Sequence, residues 1–433
     1  MGSVEQMPFT YQSYAGMIRA LRKKNFAFVN YSNYRDQKDK AVILRHDVDF
    51  DPARCYRIAE IEYLEKASST FFFLLRSDFY NVLSSQVLPL VKELEGMGHS
   101  IGLHFDETAY CDDVDLVKAI QGEAAILGDM LGHPVSCVSM HRPSTKRLEG
   151  DWQIAGMENS YSHELRAEYE YVSDSRRRWK KPIMNMIESC PPGVPQKLHI
   201  LTHPFWYHEK ENTIEEDLSF FVDSAKHERL FTLYNNVSNL DENVSRQDIS
   251  RAVIYELGRR RFLLERIVLR PVRMSDAVDM FEYASDPVVC QFLQWGPYST
   301  LSEAEQWLES KIENSEREDV LFGVELKEES RLIGVVRIYS FDLEKRQGEI
   351  SYVLNPAYSG KGLATEAVKG AIEVVCNALG LRSIIATVDF ENEESSRLAQ
   401  RLGFKYLSGE DFQVEVKNAT RLYKTFEYES GIR

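Results

Sequence analysis

The hydrophobic and polar positions divide the chain into two halves, and each half alternates short apolar runs with stretches of helical period. In the first half, the apolar runs predict strands and the stretches between them predict helices. The predicted strands are Ala41–Asp49, Ser69–Leu75, His99–Phe105, Val135–Met140 and Leu198–His203, and the predicted helices are Ala53–Lys66, Gln86–Met97, Val114–Leu131 and Ile214–Glu228. Strands that alternate with helices indicate βα units around a parallel sheet or barrel.

A polar, turn-rich stretch at Asn235–Asn243 is the predicted boundary between the halves. We interpret the helix that follows, from Ser245 to about Leu264, as a connector, which gives predicted domains at residues 1–240 and 266–433 joined by 241–265. The second domain is also α/β. Its predicted elements are a strand from Ile267, helices Ser275–Ser285 and Ser302–Asn314, strands Val320–Leu326, Arg331–Phe341 and Gly348–Leu354, helix Gly362–Leu379, strand Ser383–Val388 and helix Glu394–Leu402.

Composition places the chain among ordinary globular proteins. Its 433 residues, 43% hydrophobic and 27% charged, exceed what one core usually holds. A net charge of −15 without a basic tail argues against nucleic acid as a partner. The longest strongly apolar run, about Phe71–Leu75, is too short to span a membrane. The first residues carry no secretory signal pattern, so we expect a cytoplasmic protein with reduced cysteines.

Chemically capable side chains fall at the ends of the predicted strands of the first half. Asp47 and Asp49 share one face of their strand, and two adjacent carboxylates indicate a cation beside them. His104, His141 and His203 lie at the ends of three further strands. The carboxyl ends of parallel strands are where such folds build sites. Helix capping by Asp49 and a structural role for any single histidine are the alternatives.

These residues belong to motifs that resemble the polysaccharide deacetylase family over about residues 35–235. The ordered set is Asp-x-Asp at Asp47, Gly-His-x-Ile-Gly-x-His from Gly98 to His104, Arg142-Pro143, and Leu-Thr-His-Pro from Leu201 to Pro204. The resemblance implies a distorted parallel (β/α) barrel. It also implies a divalent metal, commonly zinc, that activates water to remove acetyl groups from sugars.

The same resemblance implies catalytic roles for individual residues. Asp47 matches the general base, and Arg142 matches the arginine that holds this base. His203 matches the general acid, and Asp174 matches the aspartate that orients this acid.

The implied metal ligands include one departure from the family. Asp49 and His104 match ligands, but Thr108 stands where the family has its second histidine. We propose His141 as the third ligand, because a hydrolytic zinc site needs three protein groups and an open position. A structural histidine beside Arg-Pro is the alternative, and without His141 the site would be degenerate.

A second motif joins a predicted strand to a helix in the C-terminal half. Gly360 and Gly362 permit a bend that turns backbone N–H groups toward one point at a helix N-terminus, which suits a phosphate. A plain tight turn is the alternative. The surrounding run Ser359-Gly-Lys-Gly-Leu-Ala-Thr-Glu-Ala and the later Asn392-Glu-Glu-Ser-Ser-Arg-Leu-Ala resemble the GNAT acetyltransferase family across about 266–433. Ser359 replaces the usual Gln or Arg of that loop.

The GNAT resemblance implies acetyl-CoA as co-substrate. It implies that the backbone of Val353 and Leu354 faces the pantetheine arm. The implied diphosphate-binding residues are Gly360, Lys361, Gly362, Ala364 and Thr365, with Asn392 and Ser395 nearby.

Acetyl transfer also needs a base that removes a proton from the acceptor amine. The last histidine of the chain is His227, so the C-terminal half contains none. We predict Glu349 as the base, with a salt-bridged strand glutamate as the alternative. Tyr406 and Tyr423 are open candidates for the acid that protonates the thiolate.

The sequence therefore predicts a bifunctional enzyme that both deacetylates and acetylates amino sugars, including nucleotide-linked precursors of surface glycans. Two alternatives stay open. In one, the barrel only binds sugar and the chain is an acetyltransferase alone. In the other, the transferase acetylates protein N-termini. The oligomeric state is open as well.

Overall fold

The computed structural model describes residues 6–37, 39–111, 114–191, 193–238, 240, 244–312, 318–416 and 419–432. The contacts divide the chain into two compact units, residues 1–214 and 215–433. The predicted helix end at Asn314 and the parts of the predicted boundary at 239 and 241–243 lie outside the described residues. Within the described residues, no helix is long and apolar enough to cross a bilayer.

The first unit is built around a parallel sheet. Its strands are β1 (Ala27–Val29), β2 (Lys40–Val48), β3 (Thr70–Leu74), β4 (Ser100–Asp106), β5 (Cys137–His141), β6 (Glu158–Asn159), β7 (Glu170–Ser173) and β8 (Gln196–Thr202). Its helices are α1 (Tyr11–Lys23), α2 (Ala53–Leu64), α3 (Val87–Gly96), α4 (Leu116–Leu131), α5 (Thr145–Glu149), α6 (His163–Glu168) and α7 (Ile183–Glu188).

The strand order is β6-β5-β4-β3-β2-β8-β7, and β1 also pairs with β2. The neighbouring strands β2 and β3, β2 and β8, and β4 and β5 all pair in parallel. Strand β2 lies inside the sheet between β3 and β8, and its residues from Ala41 to Val48 are buried. Among the described residues β6 and β7 end the sheet, so it forms a parallel half-barrel, and the distorted (β/α) barrel that the resemblance implies stays a prediction.

The five long strands of this sheet match the sequence prediction to within two residues, whereas three shorter ones and helix α1 were not predicted. The unpredicted strands are β1, β6 and β7. Helix α1 packs Tyr14, Met17, Ile18 and Leu21 into the main core of the unit. Strand β7 matters for the site because it leads directly into Asp174.

The second unit has a mixed sheet. Its strands are β9 (Phe262–Leu263), β10 (Ile267–Arg270), β11 (Val320–Leu326), β12 (Arg331–Asp342), β13 (Gln347–Leu354), β14 (Ser383–Asp389), β15 (Lys405–Tyr406), β16 (Phe412–Val416) and β17 (Ala419–Glu429). Its helices are α8 (Ile214–Asn236), α9 (Arg246–Arg259), α10 (Ala277–Ala284), α11 (Pro287–Cys290), α12 (Leu301–Lys311), α13 (Leu363–Leu379) and α14 (Glu393–Arg401).

The strand order is β15-β17-β14-β13-β12-β11-β10-β9, with β16 paired to β17. Strands β13 and β14 pair in parallel, and helix α13 forms the crossover between them. Their neighbours β12 and β17 pair antiparallel to them. The order of strands and helices therefore differs between the two units, as the sequence predicted.

The predicted connecting helix is shorter than expected and belongs to the core of the second unit. Helix α9 ends at Arg259, and residues 262–263 form β9, which pairs with β10. Ile249, Val253 and Leu257 of α9 share one hydrophobic core with α13 and the sheet. Pairing with β10 therefore overrides the helical pattern that the sequence shows up to Leu264.

A buried ion cluster ties β10 to the elements beside it. Arg270 is 1% exposed and donates to both carboxylate oxygens of Asp276, at 2.8 and 2.7 Å. Its Nε donates to Glu325 of β11 at 2.5 Å. The cluster fixes the chain between β10 and α10, because a buried guanidinium needs partners for its donors.

Candidate active sites

The carboxyl ends of the parallel strands in the first unit bring the predicted residues together. Asp49 follows β2, His104 lies near the end of β4 and His141 ends β5. Asp174 follows β7, and His203 follows β8. The parallel register places His104 beside Ser139 and Asp106 beside His141 on adjacent strands.

Asp49, His104 and His141 form a compact triangle of possible metal ligands. Asp49 Oδ1 lies 3.2 Å from His104 Nε2 and 3.2 Å from His141 Nδ1. The two histidine nitrogens are also 3.2 Å apart. A tetrahedral ion with bonds of about 2.0 Å needs ligand atoms about 3.3 Å apart.

The chemistry of the triangle also fits a divalent cation. Asp49 Oδ1 is buried and receives no hydrogen bond among the described residues. A buried carboxylate oxygen that faces two imidazole nitrogens needs a positive charge or a proton between them. One carboxylate and two histidines are a ligand set that zinc accepts.

Asp47 lies next to the triangle and is held by Arg45. Arg45 is fully buried, and its Nε and Nη2 donate to the two oxygens of Asp47 at 2.8 and 2.7 Å. Burial alone would raise the pKa of Asp47, but the charge of Arg45 lowers it. His104 Nε2 lies 3.7 Å from Asp47 Oδ2, so the carboxylate borders the triangle.

The arginine that holds Asp47 is therefore Arg45, in place of Arg142. Arg142 is exposed and has a left-handed backbone with φ of 47°. Arg45 and Asp47 are two residues apart on β2, so their side chains leave the same face of the strand. Arg45 was not among the residues predicted from the sequence, although the same two-residue spacing links Asp47 to Asp49.

His203 and Asp174 form a hydrogen-bonded pair beside Asp49. His203 Nδ1 lies 2.6 Å from Asp174 Oδ1, and the backbone N–H of His203 donates to Asp174 Oδ2 at 3.0 Å. Burial alone would lower the pKa of His203, but the charge of Asp174 and this hydrogen bond raise it to about 9. His203 Nε2 is 3.8 Å from Asp49 Oδ2, so an imidazolium can face the same site.

Thr108 takes no part in this cluster. Its hydroxyl donates to Asp106 Oδ1 at 2.7 Å, and its side chain is in an exposed turn. The third corner of the triangle is His141, and Thr108, which stands where the family has its second histidine, supplies no ligand atom to it.

The glycine loop of the second unit has the backbone conformation expected of a phosphate cradle. Gly360 and Gly362 have φ of 74° and 77°, and Gly362 is the N-cap of α13. Arg266 holds this loop, because it donates to the carbonyl of Lys361 at 2.7 Å and forms a 2.8 Å ion pair with Glu366. The free N–H groups at the start of α13 make this a site for an anion.

Strands β13 and β14 separate just before this loop. Their pairing runs from Gln347–Ser383 to Ile350–Ala386, and it does not continue to Val353 and Leu354. The backbone of Val353 and Leu354 remains paired with β12 on the other side. The two parallel strands thus leave an opening between them that leads to the glycine loop. An extended ligand chain can enter this opening.

Asn392 and Ser395 lie at the start of α14, which follows β14. Asn392 caps this helix, because its side chain accepts from the N–H of Ser395 at 3.1 Å. The hydroxyl of Tyr352 on β13 donates to the carbonyl of Ser395 at 3.4 Å. The two predicted residues thus border the opening between β13 and β14. Ala364 and Thr365 lie in the first turn of α13.

The acetyltransferase (GNAT) domain family matches residues 266–405. The uncharacterized N-acetyltransferase p20 of Bacillus licheniformis is 32% identical over 142 residues, which cover 33% of this chain and 80% of that protein. The spermidine N(1)-acetyltransferase of Escherichia coli K12 is 30% identical over 139 residues, which cover 32% of this chain and 72% of that protein. The chain belongs to the GNAT acetyltransferase family. A solved spermidine N-acetyltransferase from Vibrio cholerae, in complex with CoA and spermine, is 20% identical and covers 39% of this chain and 97% of that one, with a TM-score of 0.34.

Membership of the GNAT family assigns N-acetyltransferase activity to the chain, with acetyl-CoA as its co-substrate. In this GNAT domain the predicted base Glu349 is half-buried on β13, opposite Tyr339 of β12. Burial and the neighbouring Glu349 both raise the pKa of Tyr339. The hydroxyl of Tyr406 donates to Asp411 at 2.7 Å, whereas that of Tyr423 is buried without a hydrogen bond among the described residues.

Proposed function

We propose that the chain carries two activities, a metal-dependent amide hydrolase in the first unit and the N-acetyltransferase in the second. The observation that carries the hydrolase is the 3.2 Å triangle of Asp49, His104 and His141. Asp47 with Arg45 and His203 with Asp174 border this triangle on the same strand ends. A water nucleophile, a base and an acid can thus converge on one carbonyl.

The residues of the first unit have complementary proton states for this reaction. Asp49, His104 and His141 would hold a divalent cation, which supplies Lewis acidity for a carbonyl oxygen and for water. Asp47 stays ionised beside Arg45 and can take a proton from the attacking water. His203 stays protonated beside Asp174 and can donate its proton to the departing nitrogen.

We further propose an amino sugar as the substrate class, free or linked to a nucleotide. Phe50 follows Asp49 directly, and its ring lies 4.9 Å from that of Phe205 and 6.4 Å from that of Trp206. Phe50 and Trp206 are half-buried aromatic side chains, and such rings suit the apolar face of a sugar ring. Removing and adding an acetyl group at one nitrogen would cancel out, so the two units would act on different nitrogens or exchange one acyl group for another.

Zinc analysis and mass spectrometry of the purified full chain test this proposal. The chain should bind one zinc ion and release acetate from N-acetylated sugars without acetyl-CoA. The His141→Ala variant should lose zinc and hydrolysis together, and His203→Ala should keep zinc and lose turnover. His133→Ala is the matched control, because His133 is exposed and bonded to Glu95. Full zinc content in His141→Ala would remove His141 from the ligand set.

In a second candidate function, the chain is an acetyltransferase alone and its acceptor is a polyamine. The first unit then has no catalytic role and at most binds sugar. The relationship to the spermidine N(1)-acetyltransferase of Escherichia coli favours this acceptor, and Thr108 at a usual ligand position favours a degenerate first unit. Acetyl transfer to spermidine but not to glucosamine, from a chain that binds no zinc, would decide for it.

A further inference from the structure

Ser139 lies between the charged pair Arg45–Asp47 and the corner of the triangle formed by His104. It is fully buried in the middle of β5, two residues before His141 and in register with His104 of β4. Arg45 Nη2 donates to Ser139 Oγ, and Ser139 Oγ donates to Asp47 Oδ1 at 3.3 Å. His104 Nδ1 lies 3.1 Å from the same Oγ.

The hydroxyl of Ser139 can satisfy all three neighbours in only one way. A serine hydroxyl has one proton to donate and two lone pairs that accept. Arg45 only donates, so it takes one lone pair, and the carboxylate of Asp47 only accepts, so it takes the proton. The remaining lone pair can accept only from a protonated Nδ1 of His104.

This pattern determines the tautomer of the neutral His104 ring. If Nδ1 carries the proton, Nε2 has its lone pair free, and Nε2 is the atom that lies 3.2 Å from Asp49 Oδ1 and from His141 Nδ1. The opposite tautomer would put an N–H into the triangle, where it would donate to Asp49 and compete with a cation.

We propose that Ser139 is a positioning residue of the metal site, which holds His104 in the tautomer that leaves Nε2 free for a cation. Arg45 sets the direction of the Ser139 hydroxyl, because a guanidinium stays charged and cannot accept. This role rests on the proposed hydrolase, and it adds a residue that neither touches the cation nor takes part in proton transfer.

Zinc affinity of the full chain, measured by competition with a chelator, tests this role. Ser139→Ala should weaken zinc binding by about 10- to 100-fold, as loss of a partner that orients a ligand usually does. Ser139→Thr keeps a hydroxyl and should recover most of this affinity. Thr70→Val is the matched control, because Thr70 lies on β3, the neighbour of β4, with a buried hydroxyl that has no hydrogen bond among the described residues. This control should bind zinc like the unaltered chain.

A second measurement does not depend on the variants folding. In the unaltered chain, labelled with ¹⁵N-histidine and stripped of metal, the Nδ1 of His104 should be the protonated nitrogen. A proton on Nε2 would overturn the proposal, as would equal zinc affinity of Ser139→Ala and the unaltered chain. Either result would leave the proposed hydrolase standing. Absence of zinc binding by the unaltered chain would overturn the hydrolase, and the role of Ser139 with it.

Discussion

Alanine in place of Gly362 is expected to impair the acetyl-CoA loop through the backbone alone. Gly362 has φ of 77°, which side-chain-bearing residues rarely adopt, and it is the N-cap of α13. A Cβ atom at this position would have Arg266 Nη2 as its nearest neighbour, at an ordinary contact distance of 3.5 Å. Steric crowding is therefore absent, and the conformational cost is the whole effect.

The cost of the left-handed conformation for alanine is about 1–2 kcal/mol. If the loop keeps its shape, this amount is lost from the free energy of unfolding. If the loop relaxes, acetyl-CoA must restore its shape, and the dissociation constant rises by about 5- to 30-fold. The losses in stability and in binding should add up to about 1–2 kcal/mol.

Urea unfolding and calorimetric titration with CoA, both on the full chain, measure the two losses. Gly122→Ala serves as the control, because Gly122 lies in α4 with no atom within 4 Å of the added Cβ and no positive φ. This control should leave CoA binding unchanged. If Gly362→Ala changed neither stability nor CoA affinity, the argument from backbone strain would be refuted.

The remaining predictions concern buried ionisable side chains. Burial lowers the pKa of His199 to about 3, so below about pH 6.5 only the unfolded chain takes up this proton. The first unit should therefore lose about 2 kcal/mol of stability by about pH 5, and urea unfolding at each pH should show less loss in His199→Gln. Asp276→Asn should destabilise the second unit by about 1–3 kcal/mol in urea unfolding, because the buried Arg270 loses one of its two carboxylate partners and keeps only Glu325. Asp174→Asn should lower kcat of amide hydrolysis by about 10²- to 10⁴-fold, because His203 loses the charge that keeps it protonated. Zinc content should stay unchanged, and loss of zinc would contradict this role of Asp174.

The strands that carry most of the first site could be predicted because they are buried on both faces. Strand β3 reads as a nearly continuous apolar run, and β2 contains one at Ala41–Leu44, as buried strands of parallel sheets do. Strand β7 has only four residues, with the sequence Glu-Tyr-Val-Ser, and this is too short for a period to stand out. The position of Asp174 therefore rested on the resemblance alone.

Helices α1 and α9 were harder to predict, for two different reasons. Helix α1 has a clear amphipathic spacing at Tyr14, Met17, Ile18 and Leu21, so its signal was present and was missed. The end of α9 had no local signal, because residues 262–263 leave the helix only to pair with β10. Such pairing is a tertiary interaction that local periodicity does not contain.

The exchange of Arg142 for Arg45 shows what a motif can and cannot transfer. A motif assigns a role to a position in the chain, whereas the physical requirement is a guanidinium beside the carboxylate of Asp47. The two-residue period of a strand supplies that guanidinium at Arg45, on the same face as Asp47. The positive charge that pairs with Asp47 thus comes from β2 itself. The orientation of His104 depends instead on the register of β4 with β5, which brings Ser139 beside it. The period of β2 can be read from the sequence and the register cannot, so the first relation could have been predicted and the second needed the structure.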